Sequence, residues 1–223
     1  MQLTSWKAGV LALTLTTLAS VTACSTSAQK QAQNPNVTDS NGMPGMAHSG
    51  MNHSMSMDLG PADADYDMRF IDSMTPHHQG AVEMAKEAIA KSQRPEIKKL
   101  SNDIISAQNV EINQMKQWRK NWYPKASKTP MAFDVKMGHM IPMSQQQMQA
   151  MMMTGDLGAA DSQFDLRFIN AMIPHHQGAI TMAQDALKKT KQSEIKKMAQ
   201  DIIVSQQKEI DQMKQWRQAW YKQ

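Results

Sequence analysis

The feature that most constrains this chain is an internal repeat. Asp58 to Tyr123 aligns without a gap on Asp156 to Tyr221 at a constant offset of 98, with 38 of 66 positions identical. A gap-free match over that length means that the two units share one structure. Each reads as a helical hairpin. In the first, one helix is expected from Asp63 to Lys91 and a second from Pro95 to Tyr123, with Pro95 tolerated in a first turn and its counterpart Ser193 suited to an N-cap. A short turn makes the two helices antiparallel neighbours. One hairpin cannot bury its own apolar face, so two are expected to close into one all-α four-helix bundle. Aromatic residues make up only 5% of the chain, which also favours helices over a β-sandwich.

The rest of the chain divides around the repeats. Residues 1–23 carry Lys7 followed by an uncharged apolar run, the pattern of an export signal. Val21-Thr22-Ala23-Cys24 has the form of a bacterial lipobox, in which Cys24, the only cysteine, would carry lipid at the new N-terminus. A mature chain without a thiol pair suits an oxidising envelope compartment, facing the periplasm or the outer surface. Removing residues 1–23 removes one Lys and no acid, so the formal charge falls from +4 to +3, which gives no argument for nucleic acid. Residues 24–57 read as a disordered tether. Residues 124–155 read as a Met-rich connector holding one short helix, with Ser144 as N-cap and Gly155 at its C-terminal end. The second hairpin occupies 156–223.

Each hairpin carries an odd piece of helix, "MTPHHQGAVEMA" in the first and "MIPHHQGAITMA" in the second. With Met74 as origin and about 100° per residue, Phe70, Ile71, His77, His78, Ala81, Met84 and Ala85 fall on one core-facing stripe. The matching set is Met172, His175, His176 and Met182. On the partner helix Gln108 and Glu111 lie within an apolar stripe, repeated as Gln206 and Glu209. A lone buried carboxylate is costly, so something inside must pair with it. Pro76 and Pro174 either kink the helix just before the histidines or mark its start.

Packed histidines hydrogen-bonded to Glu111 or to a carbonyl are one reading of this pattern; ligands are the other. The chain has 22 Met against 4 Phe and 3 Tyr. Imidazole with thioether and without thiolate suits copper, with Cu(I) favoured by sulfur and Cu(II) also served by imidazole. Zinc wants more His, Cys or carboxylate, and calcium wants oxygen clusters. Outside the hairpins Met43, Met46, His48, Met51, His53, Met55 and Met57 crowd the end of the tether, and Met137, His139, Met140 and Met143 the connector. Both groups are candidates for loose capture of copper ahead of the bundle. Met68, Met115, Met198 and Met213 are expected in the core or at its boundary, and at least one of Met151, Met152 and Met153 in the core. An enzyme is not expected: there is no Glu-x-x-His for a di-iron bundle and no phosphate loop. A His/Met-ligated haem b and a Met-rich interaction protein without metal are the alternatives.

"FDLRFINAMIPHHQGAITMA", Phe164 to Ala183, preceded by "MIPMSQQQMQAMMMTG", resembles the bacterial domain of unknown function 305 family, as does "YDMRFIDSMTPHHQGAVEMA". The family signature is an acidic residue, Phe-Ile or a similar pair, Met, His-His-Gln-Gly-Ala and Met-Ala. The resemblance implies a ferritin-like four-helix bundle, often exported. For some members it also implies periplasmic copper binding linked to copper tolerance. It carries over onto Met74, His77, His78, Met84, Met172, His175, His176 and Met182. The two His-His segments are nearly identical here, whereas in many members they differ. That leaves open two equivalent sites or one site built by both halves. The expected partners are copper ions, a membrane through the Cys24 lipid and a copper-transfer protein.

Overall fold

A computed structural model describes residues 58–223. The signal segment, Cys24 and the tether residues Met43, Met46, His48, Met51, His53, Met55 and Met57 lie outside the described residues. The chain order is α1 (Tyr66–Lys91), α2 (Pro95–Trp122), β1 (Met131–Asp134), β2 (His139–Pro142), α3 (Gln145–Met152), α4 (Phe164–Lys189) and α5 (Ser193–Tyr221). Among the described residues no helix is long and apolar enough to cross a membrane.

The long helices are those the periodicity predicts, with α1 starting three residues later than expected. Ser92 leaves α1 in extended backbone and Pro95 opens α2. A proline has no N–H to lose at a helix start and its fixed φ favours the first turn. Pro76 and Pro174 lie inside α1 and α4, so neither helix begins at its proline.

Packing is organised by the repeat. One apolar cluster joins Tyr66, Phe70, Ile71 and Met74 of α1 to Met182, Ala183 and Ala186 of α4, and to Ile195 and Ile202 of α5. The other joins Ala81, Met84 and Ala85 to Phe164, Phe168 and Met172, and to Ile97 and Ile104 of α2. The first half of each central helix therefore meets the second half of the other. α1 and α4 run antiparallel, and residues 98 apart exchange places across the interface. Burying a side chain of this size contributes about 1.5–3 kcal/mol, and two such clusters hold the crossing from both sides.

The connector is more ordered than its composition suggests. β1 and β2 pair antiparallel, with Met131 opposite Pro142 and Asp134 opposite His139. Asp72 of α1 holds this hairpin down, accepting from Met131 N at 2.9 Å and from Arg119 Nε at 2.7 Å. Ser144 caps α3 through a reciprocal capping box with Gln147. At the other end Met153, at φ 48°, takes the left-handed terminating position instead of Gly155.

Each repeat is preceded by a loop tied at both ends. Arg69 donates to Leu59 O and Pro61 O and pairs with Asp63, and Arg167 repeats this with Leu157 O, Ala159 O and Asp161. Lys189 Nζ donates to Gly60 O at 2.7 Å, and Lys91 Nζ to Gly158 O at 2.6 Å, so each loop is also fastened to the end of the other half's first helix. The arginines share partners but not environment, being 1% and 34% exposed. Arg69→Ala is expected to lower unfolding free energy by about 1–3 kcal/mol, because the buried Leu59 carbonyl loses its donor and water does not replace it. Arg167→Ala should cost less than half as much. Urea denaturation of the two variants measures the difference.

Candidate metal centre

The antiparallel crossing brings all four helix histidines to one place. His77 and His175 touch across the pseudo-symmetry axis, with ring centroids 3.9 Å apart. His78 and His176 flank them, 6.5 Å from His77 and 6.2 Å from His175 respectively. Adjacent residues on a helix point about 100° apart, which is why the outer pair diverges towards the outer helices. There His78 Nε2 donates to Glu111 Oε2 at 2.6 Å, and His176 Nε2 to Glu209 Oε2 at 2.6 Å. Those contacts account for a carboxylate inside each apolar stripe. Gln108 and Gln206 are buried nearby, and each keeps an Oε1 without a partner.

Four buried rings carry eight nitrogens, and five of them have no hydrogen-bond partner: both of His77 and the Nδ1 of His78, His175 and His176. The remaining nitrogen, His175 Nε2, donates to the carbonyl of Met152 at 3.1 Å. In a neutral imidazole only one nitrogen carries a proton. Where Nε2 is the donor, Nδ1 therefore presents a lone pair. His78, His175 and His176 are all held in that orientation.

Burial, and then the facing His175, His78 and His176, hold the His77 imidazole well below its ordinary 6.5. Burial, followed by His176 and His78, brings His175 down to about 3. Both are neutral ligand-type rings at pH 7. The unfolded chain binds protons at these positions below about pH 6.5, and the folded chain does not until far lower. Stability from this source is complete above 6.5 and falls as pH drops from 6.5 towards 3. The metal-free protein should therefore melt at progressively lower temperature over that window, and His77→Leu should flatten the slope.

The long-helix methionines named as candidates fall in both apolar clusters. Met74, Met182 and Met115 lie in the cluster on one side of the histidines, and Met84, Met172 and Met213 in the cluster on the other. All six are fully or almost fully buried. Among the described residues no group of three or more His, Cys, Asp or Glu side chains is arranged to hold an ion. Met74, Met84, Met172 and Met182 lie on the same two helices as the histidines and are the thioethers that a metal would have to add to imidazole.

The connector residues do not share one environment. Met137 is 57% exposed and His139 is also exposed, as a capture role requires, while Met140 is half-buried. Met143 is 4% exposed, so the structure gives it a packing position instead of a capture one. Met68, Met115, Met151, Met198 and Met213 are buried, as expected of core residues. The tryptophans stack in pairs, Trp118 on Trp122 and Trp216 on Trp220, each at 5.2 Å. The residue that sequence reasoning missed is Met152. It acts through its backbone carbonyl, for which side-chain type gives no signal, and it rests on Gly80, where a Cβ would lie 1.8 Å from that oxygen.

Known proteins resemble this chain in sequence and fold. The family described as "Domain of unknown function (DUF305)" matches residues 67–217. Among solved structures, "CopM in the Cu(I)-bound form" is 41% identical, with 70% of this chain and 97% of that one covered, at a TM-score of 0.55. "CopM in the Cu(II)-bound form" is 42% identical over 70% and 97%, at 0.56. A DUF305 fragment from Deinococcus radiodurans is 27% identical over 69% and 95%, at 0.54. A curated relative, "Uncharacterized protein L153" of Acanthamoeba polyphaga mimivirus, is 51% identical over 49 residues, 22% of this chain. The match spans 32% of that viral protein's length.

Proposed function

This chain belongs to the DUF305 family, a domain of unknown function, and from that premise we propose that it binds copper and works by holding the ion, not by catalysis. The observation that carries this reading is the set of five unpartnered nitrogens on four buried imidazoles. Each buried polar atom without a partner costs about 1–3 kcal/mol, and packing alone returns nothing for that. Four of the five carry lone pairs, since one His77 nitrogen keeps its proton, and a soft cation would give those lone pairs a partner. His77, His78, His175 and His176, with Met74, Met84, Met172 and Met182, would be the residues to hold it. Glu111 and Glu209 orient the outer rings.

Two further facts support copper. CopM, 40–42% identical to this chain, has been solved with Cu(I), Cu(II) and silver. Thioether-rich sites favour the monovalent ion, so Cu(I) is the favoured cargo. Haem b fits poorly, because rings in contact at 3.9 Å leave no room for a macrocycle between His77 and His175. In the cell the protein would buffer or sequester copper, or pass it to a transfer protein. It would be anchored through Cys24 in the bacterial envelope, with the exposed Met137 and His139 exchanging ions with the medium.

An anaerobic Cu(I) titration of the mature, unlipidated protein against a chromophoric competitor tests the reading. Tight binding at a whole-number ratio that disappears in His77→Leu/His175→Leu is expected. Failure of the unmodified protein to compete would end the copper assignment.

A further inference from the structure

A cavity of about 620 Å³ opens between α1, the C-terminal end of α2, the loop that follows it and α3. Its size is that of a small-molecule site, about 300–1,000 Å³. Ile71 and Pro76 of α1, Met148 of α3, Tyr123 and Pro130 give it apolar walls. Asp72 is the one carboxylate among the described lining residues, and Arg119 engages it through Nε at 2.7 Å and Nη2 at 3.1 Å. Asp72 also accepts from Met131 N, and Arg119 Nη2 donates to Ser127 O at 3.1 Å, so this pair fastens the loop to the helices and fixes the walls. The pair is neutral. Lys116, Lys120 and Lys128 also line the cavity, and among the described residues no ion pair joins them to an acid.

Four other helix lysines are matched: Lys91, Lys99, Lys189 and Lys197 each pair with an acidic residue four positions away. Lys116 has Lys120 at that spacing instead, and like charges so placed repel. The other half lacks both the enclosure and the repulsion. Asn170 and Pro174 are exposed where Asp72 and Pro76 are buried, Gln218 stands in place of Lys120, and Ile173 in place of the cavity-lining Thr75. The second lysine and the hydroxyl therefore occur only where the cavity does.

We propose that this cavity binds an amphipathic organic anion, a single apolar chain ending in a carboxylate or phosphate, with the chain against Ile71, Pro76 and Met148 and the head among Lys116, Lys120 and Lys128. An anion placed there relieves the repulsion between Lys116 and Lys120 and accepts charge-assisted hydrogen bonds from them. The apolar walls leave water when the chain enters. A cationic amphiphile of the same length meets three like charges and is refused. None of the four helix histidines lines the cavity, so the site stands apart from the proposed copper centre and does not depend on it.

Isothermal titration calorimetry of the mature, unlipidated, metal-free protein with decanoate and with decyl phosphate, each kept monomeric, tests the proposal. Saturable one-to-one binding of at least one anion is expected, with none of decyltrimethylammonium. Lys120→Gln, which copies Gln218, combined with Lys128→Gln should weaken binding about tenfold or more. Both lysines are exposed, so the fold tolerates the change. Met148→Asp, which sets a charge in the apolar wall, should weaken it as well while the helical circular dichroism persists. No saturable binding of either anion overturns the proposal. So does binding that the paired lysine substitution leaves unchanged, equal binding of the cationic amphiphile, or binding to phosphatidylglycerol vesicles alone, which would assign the lysines to a membrane surface.

Discussion

His77→Leu is expected to raise the melting temperature of the metal-free protein and to remove its stabilisation by copper. His77 is fully buried and neither ring nitrogen has a partner, so the substitution deletes two orphaned polar atoms and breaks no hydrogen bond. Replacing such a group with an apolar one of similar size returns about 1–3 kcal/mol. In a chain of this length each kcal/mol moves the melting temperature by about 2–4 °C. Copper should act in the opposite direction. A ligand that binds only the folded state stabilises it by about 2.7 kcal/mol at a free concentration a hundred times its Kd, and the variant forfeits that increment. Differential scanning calorimetry with and without Cu(I) separates the two effects. A variant that melts lower and still responds to copper would make His77 a packing residue.

That contrast marks the limit of what the sequence discloses. The repeat, the four long helices and the inward direction of His77, His78, His175 and His176 follow from local periodicity. So does the Glu111 partner of His78, because both lie on stripes that must face each other within one hairpin. The contact between His77 and His175 is different in kind. It depends on α1 and α4 packing antiparallel, a tertiary choice that no single helix encodes. The choice between separate sites and one centre built by both halves was illegible for that reason. The β1–β2 hairpin was equally hidden: its strands are four residues long, and Asp72 and Arg119 anchor it from elsewhere in the chain. Met143 has the composition of a capture ligand and the burial of a core residue. Met153 ends α3 in left-handed backbone, where glycine is the usual choice and Gly155 stood two residues away.

Glu111→Gln should weaken copper binding about tenfold to a hundredfold while leaving the metal-free fold nearly as stable as before. A ligating histidine is oriented and made more basic by the acceptor on its other nitrogen, and loss of that acceptor's charge typically has an effect of this size. Glutamine keeps an oxygen where His78 Nε2 can still donate, so the ring stays in place and only the charge is lost. Glu111→Ala provides the contrast. It leaves a fully buried N–H without an acceptor and should cost about 1–3 kcal/mol in metal-free stability. A Glu111 that served packing alone would make the two variants differ in melting temperature and leave both with unchanged copper affinity. Glu209→Gln should reproduce the effect, because His176 meets Glu209 at the same 2.6 Å. The double variant carries the stronger inference. His77 and His175 are in contact, and if one ion is held by both halves the two losses should multiply on it. If each hairpin held its own copper, either single variant would weaken one ion and leave the other untouched, giving a two-phase titration in place of a uniformly shifted one.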